Sequence, residues 1–293
     1  MTAYTAQLFS DWSPNVSTTL RANFKEFARG QICRAGTDTP HLEFRLSGND
    51  VAGTVLDGLI NSGASERFLT GGCDRFRHAN LYDDSRLQLF ASADFTFGDH
   101  VLTIGGELQQ FELFNLFVER SSGAFIFDNV TEIETGQGVR VEYINDVSND
   151  ANNAASDWGY DTWVAFAQDS WQITPRLAVD FGLRYERYVS DDLTPVDNAV
   201  AAEYGFNPVN SLDGLDLFMP RISFRWDATD RTRVTGGFGL FAGGNPNVWF
   251  SNAYAPGVVS ASLDPIDITS LDIAASLQAA VAAGTPRIIG VID

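Results

Sequence analysis

The chain has 293 residues, 44% hydrophobic and 12% aromatic, which suffices for one large domain or two ordinary ones, and no change of composition divides it. Its net charge of −19 argues against nucleic-acid binding, because phosphate contacts need clustered Lys and Arg and the 19 basic residues are spread out. The 26 glycines and many short alternating segments favour an all-β protein, and no apolar run is long enough for a membrane helix.

The start of the chain predicts a β-hairpin. Met1 is not followed by a charged segment and an apolar core, so no signal peptide is expected, and for an exported protein the start would then be missing or removed. Two strand patterns follow, Ala3–Trp12 and Val16–Phe27. The link between them has residue types that suit a tight turn: Ser13, Pro14 and Asn15. The second strand has a polar face, as a water-filled interior requires: Arg21, Asn23 and Lys25.

A long connection, Ala28 to Ser85, contains both cysteines of the chain. Within it we predict a short strand over Leu42–Leu46 and a short helix over Asp50–Asn61. Cys33 and Cys73 form either a disulfide or two free thiols; a bond outside the cytosol would close a loop of about 40 residues and contribute about 3–4 kcal/mol. Their spacing resembles no metal site.

Arg86–Phe97 and Val101–Leu113 predict the second hairpin, with Gly98, Asp99 and His100 as its turn. One face is apolar on both strands: Leu87, Leu89, Ala91, Ala93, Phe95 and Phe97, then Leu102, Ile104, Gly106 and Leu108. The opposite face is polar: Gln88, Asp94, Glu107 and Gln109. We interpret His100 as an exposed turn residue rather than a ligand or catalytic group.

The second long connection, Arg120 to Tyr160, becomes acidic and rich in Asn. Its oxygen-bearing side chains are of the kind that calcium prefers: Glu142, Asp146, Asn149, Asp150, Asn152, Asn153 and Asp157. The spacing lacks the central Gly and the closing Glu of an EF-hand. A solvated loop without metal is therefore the favoured interpretation.

The clearest alternation lies in Trp163 to Tyr188, where two strand patterns flank a very short turn. On the second strand one face is apolar: Leu177, Val179, Phe181, Leu183 and Tyr185. The other face is mostly polar: Ala178, Asp180, Gly182, Arg184 and Glu186. About 9–11 such residues cross a membrane as a tilted strand, so we expect Phe181 to contact lipid and Asp180 to face a barrel interior.

A third long connection, Ser190 to Asp216, leads to the fourth hairpin. Its first strand alternates Ile222, Phe224 and Trp226 with Arg221, Ser223 and Arg225, and its second has Val234, Phe238 and Leu240. The glycines there suit strand bending better than phosphate binding, because no lysine follows them: Gly236, Gly237, Gly239, Gly243 and Gly244. The remainder, Asn245 to Asp293, predicts a short helix over Ser270–Ala283.

The connections inside hairpins are short and those between hairpins are long. All strands should therefore run antiparallel, with every long loop on one side, as in an outer-membrane barrel with short periplasmic turns and long extracellular loops. We expect aromatic residues at two levels. Four lie near the short turns (Trp12, Phe97, Trp171 and Trp226) and three near the long loops (Phe27, Tyr188 and Phe241).

Two runs resemble hairpins in the barrels of TonB-dependent outer-membrane receptors, particularly the Oar-like branch: AQDSWQITPRLAVDFGLRYE and LFMPRISFRWDATDRTRVTGGFGLFAGGNP. The resemblance implies an all-β, antiparallel transmembrane β-barrel segment, with about eight strands of a larger barrel of about 22. Residues 1–293 would then be part of one barrel domain, without the plug domain and the barrel C-terminus.

The same resemblance implies the location and the partners. The protein would lie in the Gram-negative outer membrane and contact lipid and lipopolysaccharide. It would take up a nutrient with energy supplied through TonB, which binds a segment absent from this sequence. The substrate-binding residues belong to the plug and outer loops together and cannot be carried over to particular positions in this chain.

Two other classes of protein remain. One is a small, complete eight-stranded barrel with a structural or adhesion role, and the other is a soluble extracellular β-sandwich that binds sugar or protein. Strands of about ten residues disfavour the sandwich, whose strands average about five or six. The histidines His41, His78 and His100 lie in predicted loops or turns and form no triad or metal spacing. We therefore expect no enzyme, no cofactor and no metal site.

Overall fold

The described part of the chain is built mainly from β-strands, which are numbered in chain order. The computed structural model describes residues 1–46, 68–196, 198–206, 209–269 and 272–284. The described strands are β1 (Thr2–Ser13), β2 (Val16–Gly30), β3 (His41–Arg45), β4 (Phe68–Gly72), β5 (Ala79–Phe97), β6 (His100–Val118), β7 (Ala124–Phe127), β8 (Gln137–Asn145), β9 (Ser156–Thr174), β10 (Leu177–Val189), β11 (Asp216–Thr229), β12 (Thr232–Gly239) and β13 (Val259–Asp267). The described helices are α1 (Val130–Thr135), α2 (Asn198–Tyr204), α3 (Asn247–Tyr254) and α4 (Ile273–Ala283).

The four predicted hairpins form one antiparallel sheet, which confirms the predicted fold class. Its eight strands follow the order β1-β2-β5-β6-β9-β10-β11-β12. The register joins the predicted apolar faces of β5 and β6 residue by residue, with Leu89 opposite Leu108 and Phe95 opposite Leu102. Directly opposed side chains lie on the same face of a sheet, so the two strands share one apolar surface.

The sheet therefore has two chemically different faces. Phe181 lies opposite Asp169 and Ile222, whereas Asp180 lies opposite Ser170 and Ser223. We call the apolar face that carries Phe181 the outer face and the polar face that carries Asp180 the luminal face. Phe181 is 45% exposed, as expected of a residue on an outer face that has no protein layer over it.

The two edge strands are β1 and β12, and within the described residues they do not pair with each other. The sheet in this part of the chain is consequently open. It does not form the closed eight-stranded barrel that the sequence left as an alternative. The lengths of β5, β6 and β9, 19 residues each, also exceed those of sandwich strands.

Strands beside the long loops extend further than predicted, so the first two connections are shorter than the sequence indicated. β5 begins at Ala79 instead of Arg86, and β9 begins at Ser156 instead of Trp163. β6 likewise continues to Val118, and the outward positions of the extended strands, such as Leu81 and Leu116, pack with alanines of the connection that precedes β9. Loop residues rather than lipid cover these positions. The strict apolar–polar alternation that lipid requires is therefore not needed there, and the prediction relied on it.

The long connections are themselves folded, which corrects the prediction of solvated loops. β13, β8, β7, β3 and β4 form a second sheet in that order, which we call the loop sheet. β3 and β7 pair in parallel, so the expectation that all strands run antiparallel is wrong for this sheet. The predicted strand over Leu42–Leu46 is present as β3, and the helix predicted over Asp50–Asn61 falls outside the described residues.

The loop sheet has its own hydrophobic core. Its fully buried members include Val139 and Val141 of β8, and α4 packs Leu277 and Val281 against them. α4 agrees with the helix predicted over Ser270–Ala283. Asp272 caps it by accepting a hydrogen bond from the backbone N–H of Ala275 at 3.1 Å. Among the described helices, none combines the length and the apolar character that crossing a membrane requires.

Candidate functional site

The luminal face carries a connected set of polar side chains centred on Glu107 of β6. The Glu107 side chain is only 7% exposed. It accepts hydrogen bonds from Gln88 and Gln109, and Arg184 Nη1 lies 3.7 Å from its other oxygen. Arg184 Nε also donates to Glu186 at 2.6 Å. A buried carboxylate without hydrogen-bond donors is costly, and these contacts supply donors and link β5, β6 and β10 across the face.

Asp180 makes a second cross-strand link, nearer the short turns. Ser170 Oγ of β9 donates to one carboxylate oxygen at 2.6 Å, and Ser223 Oγ of β11 donates to the other at 3.1 Å. Three neighbouring strands are thus joined by one side chain. These contacts place Asp180 on the polar side of the sheet, as the alternation predicts.

Aromatic rings interrupt the polar luminal face near the middle of the strands. Phe90 and Phe166 stack with their centroids 5.8 Å apart, and the Arg21 guanidinium lies 5.3 Å from the Phe90 centroid. Gly105 makes room for this pair, because a Cβ atom there would clash with Cζ of Phe166. Gly236 similarly accommodates Phe224 on the outer face, which favours close packing as the role of that glycine.

At the loop end, the luminal face is covered by a packed group that we call the mouth cluster: Phe111, Leu113, Trp158, Tyr160 and Tyr254. Tyr254 belongs to α3, and its ring stacks on Trp158 with centroids 4.8 Å apart. Trp158 is 2% exposed, whereas Trp249 on the opposite side of α3 is 75% exposed. The helix therefore lies with one side against the strands and the other side away from them.

Hydrogen bonds hold the same segment to the strands. Ser251 of α3 is fully buried, accepts from Asn115 Nδ2 at 3.0 Å and also contacts the Ser156 hydroxyl. Just before the helix, Asn245 Nδ2 donates to the Tyr160 hydroxyl at 2.9 Å, and Asn245 Oδ1 accepts from Tyr188 at 3.2 Å. We call residues 245–254 the strap, because they cross the luminal face at the loop end.

The sequence did not single out the strap or the residues that anchor it. The segment has neither strand alternation nor a long apolar period, so neither pattern could reveal a short helix whose packing comes from distant strands. One weak signal was available. Phe250 and Tyr254 are four residues apart and therefore share a side of a helix.

Three of the four acidic residues considered for calcium have other partners. Glu142 lies 3.1 Å from Arg120 Nε, and Asp146 accepts from both the backbone and the hydroxyl of Ser148. Asp150 accepts from the Asn152 backbone N–H, as is common in turns. Among the residues that the structure describes, no group of three His, Cys, Asp or Glu side chains is arranged to hold a metal ion.

Two of the three histidines differ from their predicted settings, whereas His78 lies in the connection before β5, as predicted. His41 lies in β3 and is 4% exposed, and His78 is 7% exposed. His100 is not an exposed turn residue, because it begins β6 and its Nδ1 lies 2.7 Å from Asp169 Oδ2. The sequence could not show this contact, since it joins residues of two strands 69 positions apart.

The two predicted aromatic levels differ in the direction of their side chains. All four residues near the short turns are exposed, and the register places Phe97, Trp171 and Trp226 on the outer face. The three near the long loops turn to the luminal side instead: Phe27 packs on Tyr82, Tyr188 joins the strap and Phe241 lies over Arg221. Among these seven residues, only those near the short turns thus form a lipid-facing aromatic girdle.

Cys33 and Cys73 are joined at the base of the loop sheet, with their Cα atoms 5.3 Å apart. We predict that this bond is present in the exported protein, because the outer surface is oxidising. Thiol labelling of the intact, denatured protein should find no reactive thiol before reduction and two afterwards. Two reactive thiols without reductant would contradict the prediction. Replacing both residues with Ser should cost about 3–4 kcal/mol of stability.

Burial lowers the pKa of His78 below its usual value of 6.5. The Cys73 backbone and Asp74 raise this pKa and His41 lowers it, but burial has the largest effect. The folded protein then binds fewer protons at this site than the unfolded chain. Stability must therefore fall as the pH drops below about 6.5. The hydrogen-exchange protection factors of β3 and β4, which correct for the pH dependence of the intrinsic exchange rate, should fall on acidification. His78→Gln, which can still accept from the Ser122 backbone, should weaken that dependence; an unchanged pH profile would contradict it.

Comparison with known proteins adds the family. The family model described as an outer membrane beta barrel domain matches residues 4–288. No curated protein matches the chain. Among solved structures, it is similar to the ferric-catecholate import receptor Fiu from E. coli K12 in its closed form, with 13% identity, a TM-score of 0.46 and 81% of this chain covered. It is also similar to the copper transporter OprC, with 14% identity, a TM-score of 0.41 and 81% covered. The chain spans 32% and 29% of the lengths of these two structures.

Proposed function

Because the chain belongs to the family of outer membrane beta barrel domains and lies in the Gram-negative outer membrane, we propose that it is part of the barrel of a TonB-dependent receptor. The receptor takes up a nutrient, with energy supplied through TonB. The two sequence runs that resemble such receptors further favour the Oar-like branch.

The strap is the observation that best supports uptake rather than a purely structural role. It crosses the luminal face at the loop end, where Ser251 is fully buried against Asn115 and Ser156. A barrel that only reinforces the membrane has no need of a structured cover on its lumen. A receptor that admits selected molecules does need one, because the cover must separate the lumen from the outside between transport events.

The edge strands support a larger barrel. β1 and β12 stand at opposite edges of the described sheet, and an exposed edge presents unpaired N–H and C=O groups that are costly in lipid. We propose that residues 1–293 are part of one barrel domain of about 22 strands, whose remaining strands complete these edges. The plug domain and the TonB-contacting segment would lie outside residues 1–293.

The proposed partners follow from this placement. The outer face contacts membrane lipid, and the extracellular loops contact lipopolysaccharide and a nutrient ligand. TonB binds through the segment outside this sequence, and nucleic acid is not a partner. We propose a transport protein without enzymatic activity or a cofactor.

A growth and uptake experiment tests the proposal. Strains lacking either the full-length gene or TonB should both lose growth on the same scarce nutrient, supplied from a panel of metal chelates, cobalamins, oligosaccharides and peptides. Restoring the gene should restore uptake only while TonB and the proton gradient are intact. Uptake that persists without TonB would exclude an energised receptor. Loss of adhesion or envelope integrity, with every nutrient still taken up, would instead favour a structural barrel.

A further inference from the structure

Two titratable side chains, those of His100 and Asp169, lie on the outer face beside the short turn between β5 and β6. His100 lies opposite Trp171, and Asp169 lies opposite Leu102 on one side and Phe181 on the other. Opposed residues share a face, so both groups point to the side that contacts lipid. An acidic residue is unexpected there unless a partner or the membrane interface lowers its cost.

The two side chains contact each other, but among the described residues one oxygen of Asp169 lacks a hydrogen-bond donor. His100 Nδ1 lies 2.7 Å from Asp169 Oδ2, and the two side chains are 32% and 11% exposed. Asp169 as a whole residue is 9% exposed, and its Oδ1 is buried with no hydrogen-bond partner in the part of the chain that the structure describes. A buried carboxylate oxygen without a donor is costly, so this atom calls for a donor from outside the chain.

The His100 imidazole has a ring nitrogen that is free to contact a second group. Its Nδ1 is engaged by Asp169, so Nε2 is the ring nitrogen left for another partner, to which the protonated ring donates Nε2–H. The ring stacks between Phe97 and Trp171, at centroid distances of 5.4 Å and 5.2 Å.

The aromatic neighbours also indicate depth. Phe97 and Trp171 belong to the exposed group near the short turns, and such rings lie at the level of lipid headgroups. Charged groups cost little at that level, compared with the middle of the membrane. The ligand available at that level is a phospholipid headgroup, which consists of a phosphate and the alcohol esterified to it.

We propose that His100 and Asp169 bind the headgroup of a phosphoethanolamine lipid in the periplasmic leaflet. The phosphate accepts a hydrogen bond from His100 Nε2–H, and the ammonium group donates to Asp169 Oδ1. Side-chain motion of the flanking Leu102 or Phe181 gives the ammonium access to that oxygen. The site fixes the chain to lipid at the short-turn side and does not depend on the proposed transport function.

Native mass spectrometry of the full-length protein, extracted from outer membranes, tests this site. Dioleoyl-phosphatidylethanolamine should bind about tenfold more tightly than dioleoyl-phosphatidylcholine, which has no N–H donor, or dioleoyl-phosphatidylglycerol, which has no amine. Asp169→Asn and His100→Gln should each abolish this preference. Asp99→Asn, which removes an exposed carboxylate one residue from His100, is the matched control and should retain it.

If a variant fails to assemble, the lipid preference of the parent protein still tests the proposal. Equal binding of the three lipids by the parent would overturn the proposal and leave the pair a structural contact between β6 and β9. Displacement of the bound lipid by soluble O-phosphoethanolamine would overturn it as well, since the site would then belong to a free phosphate ester. Retention of the lipid against that competitor supports it.

Discussion

Phe181→Arg in the full-length protein should sharply reduce the folded barrel recovered from outer membranes, whereas Asp180→Asn should largely spare it. Phe181 is 45% exposed on the outer face, and an Arg that faces lipid costs about 2–4 kcal/mol at the midplane and less toward the interface. Asn at position 180 keeps one acceptor for a serine hydroxyl and offers an amide N–H₂ to the other. Its cost should therefore be much smaller.

The measurement is the amount of folded protein in purified outer membranes, relative to the parent, with total expression as the reference. Normal assembly of Phe181→Arg together with loss of Asp180→Asn would mean that the two faces are assigned the wrong way round. If both variants assemble normally, the strand does not lie in a membrane. The two positions are adjacent, so a difference in depth along the strand cannot account for a difference in assembly between the two variants.

Trp158→Ala should release the strap from the strands and cost about 3–5 kcal/mol, the range for removing a large buried aromatic side chain. Trp158 is 2% exposed and contacts Tyr254 and Phe250 of α3. The expected result is rapid hydrogen exchange over Asn247–Tyr254, with the eight-stranded sheet still protected. The cavity left by Trp158 removes most of the apolar contact between α3 and β9.

Trp249→Ala is the matched control, because it removes the same side chain from the exposed side of the same helix. Trp249 is 75% exposed, so its loss should change exchange in α3 by little more than helix propensity. Equal protection of α3 in the two variants would show that the hydrogen bonds of Ser251 and Asn245 hold the strap without Trp158. If the strap gates uptake, only Trp158→Ala should also alter nutrient transport.

The faces of the strands could be predicted almost completely from the sequence. The alternation of Leu177, Val179 and Phe181 with Ala178, Asp180 and Gly182 places each residue correctly, because a strand has a side-chain period of two and lipid on one face requires that period. The positions of the tight turns were also predictable, although the turns are one residue shorter than predicted: Ser13 ends β1 and His100 begins β6.

The loop sheet and the strap were decided only by tertiary structure. β3, β7 and β13 come from three different connections, and each is too short for its pattern to show which distant strand it joins. Ser251 meets Ser156 across 95 positions and Asn245 meets Tyr160 across 85, so nothing near any of them in sequence marks the contact. The same holds for His100 and Asp169, which the sequence placed in a turn and in a strand. Local periodicity determines which way a side chain points, whereas the register between strands determines what it touches.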